Sequence, residues 1–197
     1  MNSRKMNSKG NIKVTVEILN GGGVGVLPTD TIYGIVGSAM SKKTVMRIYK
    51  LRKRNLKKPT IILIGSLSDL GLFDVRLDAK TKKLLSNFWP GKVSVALPCR
   101  RKKFSYLHRG NRTLAFRLPK PKWLLGILKL TGPLVAPSAN LEGFEPAKTV
   151  GEAREYFGDR VDFYLNKGKL ISRPSTLIAF REGKMVVLRK GAVNINV

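Results

Sequence analysis

The chain has 197 residues, 43% of them hydrophobic, which suits one packed domain and excludes wholesale disorder. Lysine and arginine number 38 against 12 aspartates and glutamates, a formal charge of +26 that suits polyanionic partners such as nucleotides or nucleic acid. A single cysteine (Cys99) and a single histidine (His108) exclude a disulfide framework and a Cys/His zinc cluster, so no metal site is expected.

Residues 1–11 are polar and basic, lack the apolar core of a secretory signal, and are expected to form a flexible basic tail. Residues 12–20 are ambiguous: Val14, Val16 and Ile18 alternate as in a strand, but a short helix fits equally. Residues 23–28 read as a buried strand. Residues 41–54 read as a helix, with Ser41 as N-cap and Val45, Ile48, Tyr49 and Arg52 on one side. Lys43, Arg47, Lys50 and Arg54 form a cationic stripe on that helix. A β-rich run covers 60–64, a helix 79–87, strands 93–97 and 113–118, and a helix 122–130 ended by Gly132-Pro133. A short strand follows at 134–137, a helix at 147–157, and strands at 161–165, 175–179 and 185–188. Alternating strands and helices predict an α/β domain over residues 12–193, and the closely spaced late strands predict a partly antiparallel sheet. No run approaches the roughly 18 apolar residues of a membrane span, so a cytoplasmic protein with no membrane contact is expected.

Charge is unevenly spread. No acid occurs from residue 79 to 141, whereas six of the twelve acids fall between Glu142 and Asp162. Asp30 is the only acid between Glu17 and Asp69, within Pro28-Thr29-Asp30-Thr31-Ile32-Tyr33-Gly34. Two hydroxyls, a carboxylate and a phenol thus gather in an otherwise apolar and basic neighbourhood. The preceding glycines (Gly21, Gly22, Gly23, Gly25) belong to no Walker loop or dinucleotide fingerprint and read as a turn feeding a strand.

Lys50 and Arg52 are expected on one side of a helix exit, where they could grip phosphate or carboxylate; Arg52 is expected in a cavity rather than in the core. Pro137-Ser138-Ala139-Asn140 is a polar turn at a strand end, where open α/β sheets place ligands. Ser175-Thr176 offers a hydroxyl pair at a strand start, and Arg117 and Arg189 end strands.

The order of seven short stretches is more specific than any one of them: 28–34, 50–52, Trp89-Pro90-Gly91, Arg117-Leu118-Pro119, 137–140, Pro174-Ser175-Thr176 and Arg189-Lys190-Gly191. This order resembles the YrdC-like family of threonylcarbamoyl-AMP synthases across about residues 12–193. The resemblance implies an α/β fold: a single-domain, twisted, mixed parallel/antiparallel sheet with helices around a deep basic cavity. It implies a nucleotidyltransferase that converts L-threonine, bicarbonate and ATP to threonylcarbamoyl-AMP and pyrophosphate. ATP is then a substrate, with Mg²⁺ carried on its oxygens. The product would pass to a tRNA threonylcarbamoyl transferase complex, and RNA (tRNA) affinity is implied as well. A chain ending at Val197 is expected to be the short, single-domain form.

Carried over by position, the resemblance assigns Lys50 and Arg52 to catalysis and to the ATP phosphates or carbamate. It assigns Thr31, Arg117, Ala136 and Ser175 to threonine, with Arg117 on the carboxylate. Thr113, Ser138, Asn140 and Arg189 go to the nucleotide, and Asp30 to organising its own motif through Thr31 and Tyr33. The chain departs from the family pattern at Lys92 (expected to add charge near the site), Ser94, Glu142, Asn166-Lys167-Gly168 and Leu63. Two alternatives remain: a non-catalytic module binding double-stranded RNA or tRNA, and a carbamoyl-phosphate chemistry like that of the YrdC-like domain of hydrogenase maturation factors.

Overall fold

A computed structural model describes residues 12–181 and 184–195. Among these residues, β1 (Gly25–Pro28), β2 (Tyr33–Ser38), β3 (Ile61–Leu63), β4 (Val93–Pro98) and β5 (Thr113–Arg117) join β6 (Leu134–Val135), β7 (Phe163–Tyr164), β8 (Thr176–Arg181) and β9 (Lys184–Arg189). They form one nine-stranded sheet in the order β7-β1-β2-β6-β3-β5-β4-β8-β9. The pairs β1/β7, β3/β5 and β4/β8 are parallel and the others antiparallel, so the sheet is mixed, as predicted. The expected tail, residues 1–11, lies outside the described residues.

Side chains of successive strand residues point to opposite faces. Val26, Ile35, Ile62 and Val135 therefore enter one core, and their neighbours Leu27, Val36, Leu63 and Leu134 enter another. The second core is closed by α1 (Ile12–Asn20) and α5 (Lys122–Thr131) through Leu19, Leu124, Ile127 and Leu128. The first takes in Val45, Ile48 and Tyr49 of α2 (Lys42–Leu51) and Leu85 of α3 (Ala79–Ser86). Leu107 of α4 (Ser105–His108) and Ala153 and Phe157 of α6 (Val150–Phe157) complete it. Residues 12–20 resolve as helix: Thr15 and Leu19, four apart, are the buried pair, a helical rather than an alternating pattern. Burying Leu19 alone is worth about 1.5–3 kcal/mol, which outweighs the weak helix propensity of the β-branched residues.

Ser41 caps α2 as predicted, its hydroxyl accepting from Thr44 N at 3.2 Å. The helix stops at Leu51 rather than 54, because Lys53 turns left-handed at φ 50°. Helix α6 starts at Val150, three residues later than predicted, where Thr149 caps it and accepts from Glu152 N at 3.2 Å. Strand β2, the 3₁₀ turn Leu67–Phe73 and α4 had no clear sequence signal. Cys99 lies buried just after β4 and burial pushes its thiol up, which suits a packing residue and not a nucleophile. Among the described residues no helix is long and apolar enough to cross a membrane.

Asp162 ties α2 to the sheet. It pairs with Arg47 through both oxygens (2.6 and 3.0 Å) and accepts Val24 N–H at 2.7 Å. Burial pushes its carboxyl up, but Arg47 and the Val24 amide outweigh this and hold it below its usual range. Its contribution is therefore complete above the ordinary carboxylate range and is lost as pH falls through the folded value. Asp162→Asn should lower the unfolding free energy read in urea near neutral pH, by about 1 kcal/mol or less given the partial exposure of the pair, and the gap from wild type should close toward about pH 3.

Gly191 lies against the start of β8. A Cβ there would sit 2.3 Å from Pro174 O and 2.5 Å from both Ser175 C and Thr176 N. Gly191→Ala should cost about 1–3 kcal/mol in urea unfolding and displace the 174–176 segment, whereas Gly126→Ala, on an exposed helix face with open space, should not destabilise.

Candidate functional site

The 28–34 motif is a hairpin. Pro28 pairs with Tyr33, and residues 29–32 form the loop. Thr29 closes it: its N–H donates to Ile32 O at 3.1 Å, and its hydroxyl donates to the same carbonyl at 2.8 Å and accepts from Thr31 N at 3.1 Å. Thr31 Oγ1 lies 3.0 Å from Thr29 Oγ1. Tyr33 is fully buried and its hydroxyl donates to Gly168 O at 2.6 Å and accepts from Lys167 N at 3.3 Å. The divergent 166–168 loop is therefore clamped to the hairpin.

The loop borders a cavity of about 310 Å³. Thr29 and Thr31 face it from the hairpin, Ala136 and Ser138 from the turn after β6, Thr113 and Arg117 from β5, Ser175 from just before β8, and Arg189 from β9. The cavity wall carries three arginines, Arg54, Arg117 and Arg189, and no aspartate or glutamate. Such a wall favours an anionic ligand and offers hydroxyls to orient it.

Arg117 is 3% exposed and lies 3.2 Å from Asp30 Oδ1. The contact is an ion pair without hydrogen-bond alignment: Arg117 Nε and both Asp30 oxygens have no hydrogen-bond partner. Burial pushes the guanidinium down, Asp30 opposes this, and Arg189 adds to it, leaving it below its ordinary value. The expectation that Thr31 and Tyr33 donate to Asp30 is not met. Their hydroxyls go to Thr29 and Gly168, and Asp30 faces Arg117 instead. On the opposite wall Arg189 donates to Ser175 O at 2.8 Å and Ser175 Oγ at 3.3 Å. Ser175 Oγ also lies 2.8 Å from the buried Ser94 hydroxyl.

The helix exit differs from expectation. Arg52 keeps helical backbone angles, so Lys50 and Arg52 diverge by about 200° around the axis. Lys50 is exposed and outside the cavity wall. Arg52 is 2% exposed and donates to Asn140 O (3.0 Å), Asn140 Oδ1 (3.0 Å) and Ser138 Oγ (3.2 Å). Asn140 spends its amide on Leu141 O and Phe144 O, both at 2.7 Å. Arg52 and Asn140 therefore stand behind the wall and shape it. Burial, aided by the charge of Arg54, pushes Arg52 down to about 10. The left-handed Lys53 instead delivers Arg54 to the cavity, where it donates to Pro59 O at 2.7 Å.

Of the predicted site residues, Thr31, Thr113, Arg117, Ala136, Ser138, Ser175 and Arg189 line the cavity, and Lys50, Arg52 and Asn140 do not. Sequence reasoning missed Arg54, read as one member of a cationic stripe, and Thr60, whose buried hydroxyl has no partner. A usable signal for Thr60 was its place beside Pro59 at the edge of β3. Lys92 is exposed and outside the wall, so it adds no charge there, and Leu63 is core. Among the described residues no group of three or more His, Cys, Asp or Glu is placed to hold a metal.

Residues 17–191 match the Sua5/YciO/YrdC family, whose description is "Telomere recombination". The threonylcarbamoyl-AMP synthase of Pyrococcus abyssi is 27% identical over 98% of this chain and 57% of its own length. That of Bacillus subtilis is 32% identical over 84% of this chain and 49% of its own. The chain thus spans about half the length of these two curated relatives. Among solved structures, P. abyssi Sua5 complexed with L-threonine superposes with a TM-score of 0.82 at 28% identity, over 91% of this chain and 54% of that one. E. coli YciO gives 0.82 at 26% identity, over 93% of this chain and 90% of its own. With its mixed sheet, its strand-end cavity and a match across most of its length, this chain belongs to the Sua5/YciO/YrdC family.

Proposed function

We propose that this chain is a threonylcarbamoyl-AMP synthase, a nucleotidyltransferase acting on L-threonine, bicarbonate and ATP. The observation that carries this reading is the cavity wall: three arginines, several hydroxyls and no carboxylate. In the reaction, bicarbonate takes up a proton and loses water to give carbon dioxide, which threonine's amine captures with loss of a proton to give a carbamate. A carbamate oxygen then attacks the ATP α-phosphorus, the bond to the β-phosphate breaks, and pyrophosphate leaves. An anion attacks a polyanion, so the protein's contribution is charge neutralisation and alignment rather than a nucleophilic side chain.

Arg117 would take the threonine carboxylate, with Thr31, Ala136 and Ser175 around the amino acid. Arg54, Arg189, Thr113 and Ser138 would meet the nucleotide, and Arg52 and Asn140 would position Ser138 from behind. The wall offers cations and hydroxyls, a poor donor set for Mg²⁺, so a magnesium ion would arrive on the ATP oxygens. We place the reaction in the cytoplasm, feeding a transferase complex that modifies tRNA.

A second reading, a non-catalytic RNA-binding module, rests on the acid-free block 79–141, which exposes Lys80, Lys82, Lys83, Arg100 and Arg101. It expects tRNA or duplex RNA affinity that falls steeply with salt and needs no ATP.

Purified protein given ATP, threonine and labelled bicarbonate should form a labelled adenylate and release pyrophosphate only when all three are present. Absence of threonine-dependent label sinks the synthase reading, and label transfer from carbamoyl phosphate without threonine would favour the carbamoyl-phosphate alternative. Arg54→Ala should lower kcat/KM for ATP about 100-fold, while Lys50→Ala should stay within about threefold of wild type. Equal losses in the two variants would contradict the wall described above.

A further inference from the structure

Two neighbouring loops, joined through the β3/β6 pairing and through Arg52, form adjoining parts of the cavity wall. Residues 52–60 bring Arg54 and Thr60, and residues 136–142 bring Ala136 and Ser138. Glu142 joins them. Its carboxylate lies 2.6 Å from Lys58 Nζ and accepts the N–H of Asn55, while its own N–H donates to Arg52 O at 2.9 Å. The side chain is 23% exposed, and both oxygens are engaged. The Lys58 hydrogen bond first, then the Asn55 amide, hold its carboxyl below the usual range.

The loop needs such a tie. Residues 55–58 are all exposed and bring little core packing. Ordering four residues costs on the order of 1 kcal/mol each in backbone entropy. Their other restraints are local or nearby: Lys58 N–H to Asn55 O at 3.1 Å, Lys57 N–H to Asn55 Oδ1 at 2.9 Å, and the Tyr49 hydroxyl (2.7 Å) and Arg54 Nε (3.4 Å) to Lys58 O. Arg54 depends on the same stretch. Its guanidinium donates to Pro59 O, and its neighbour Asn55 is the residue whose amide Glu142 holds. Release of that amide frees the backbone on the C-terminal side of Arg54, directly after the left-handed Lys53.

We infer that Glu142 is a positioning residue that fixes Asn55 and Lys58 and thereby keeps Arg54 in the cavity wall, setting affinity for the phosphates of the nucleotide. The nature of the ligand rests on the synthase reading; the restraint on the loop does not. Glu142 acts through Arg54 and touches no substrate. The geometry assigns its effect to nucleotide binding and not to threonine, because the side chain holds Asn55 and Lys58, which flank Arg54, and touches none of Thr31, Arg117, Ala136 or Ser175.

The test uses the full chain and the variants Glu142→Ala, Glu142→Gln and Lys58→Ala, read by hydrogen exchange without ligand, by ATP titration and by steady-state kinetics. Glu142→Ala should speed exchange of the Asn55 and Lys58 amides and raise both Kd and KM for ATP about tenfold, with kcat and the KM for threonine within about twofold. Glu142→Gln keeps an oxygen for the Asn55 amide but loses the charge facing Lys58, so it should fall between, alongside Lys58→Ala. Unchanged exchange across residues 53–58 in Glu142→Ala overturns the inference. So does ATP binding as tight as wild type or tighter, which would mean that Glu142 masks Lys58 from the ligand. A parallel fall of melting temperature, kcat and threonine affinity would also overturn it, as a general structural loss. If wild-type protein binds no ATP, the synthase reading fails, and exchange alone decides whether Glu142 holds the loop.

Discussion

A guanidinium removed from water must be given acceptors, and Arg52 imposes that requirement on everything around the cavity. It is 2% exposed, and the turn at 138–140 supplies it with a carbonyl, an amide oxygen and a hydroxyl. That turn is held open for the purpose by Asn140, whose amide closes on Leu141 and Phe144. Ser138 thus reaches the cavity from a loop whose shape is dictated by a cation behind it. Removing Arg52 would leave several buried acceptors unmatched, so this residue belongs to the architecture as much as to the site.

The same logic explains the charge balance of the opposite wall. Arg117 is as deeply buried as Arg52, and Asp30 is the acid that faces it. An ion pair of this kind contributes little net stability after desolvation, but an unpaired Arg117 would be far costlier. The hairpin loop therefore does two jobs with adjacent residues. Asp30 offsets the charge of Arg117, and Thr31 presents its face to the cavity. Ser94 and Ser175 share the work similarly: both are buried, and Ser175 alone of the two lies in the wall.

What the sequence made legible were features set by local chemistry. Ser41 as a cap, Gly132-Pro133 as a stop, and the polar clusters around Thr31, Ser138 and Ser175 all lie where short-range rules place them. Strand β2 was hidden because Gly34 and Gly37 are poor strand formers; it exists because it fits between β1 and β6, with Gly37 leaving room for Thr44. The exchange of Lys50 for Arg54 in the wall turned on one backbone angle. Lys53 takes a left-handed conformation with no glycine to announce it, and that step decides which cation of the stripe meets the cavity. The fate of Asp30 was illegible for a different reason: its partner is 87 residues away, and only the sheet brings them together.

The partial opening of the cavity to solvent has a consequence for how such a site can be used. On the proposed chemistry, such a cavity can shelter a reactive mixed anhydride from hydrolysis while one end of the molecule stays exposed at the mouth. A product held in that way carries its own handle. It can be drawn out by its exposed end without opening the protein, and its lifetime then depends on how quickly the next catalyst collects it.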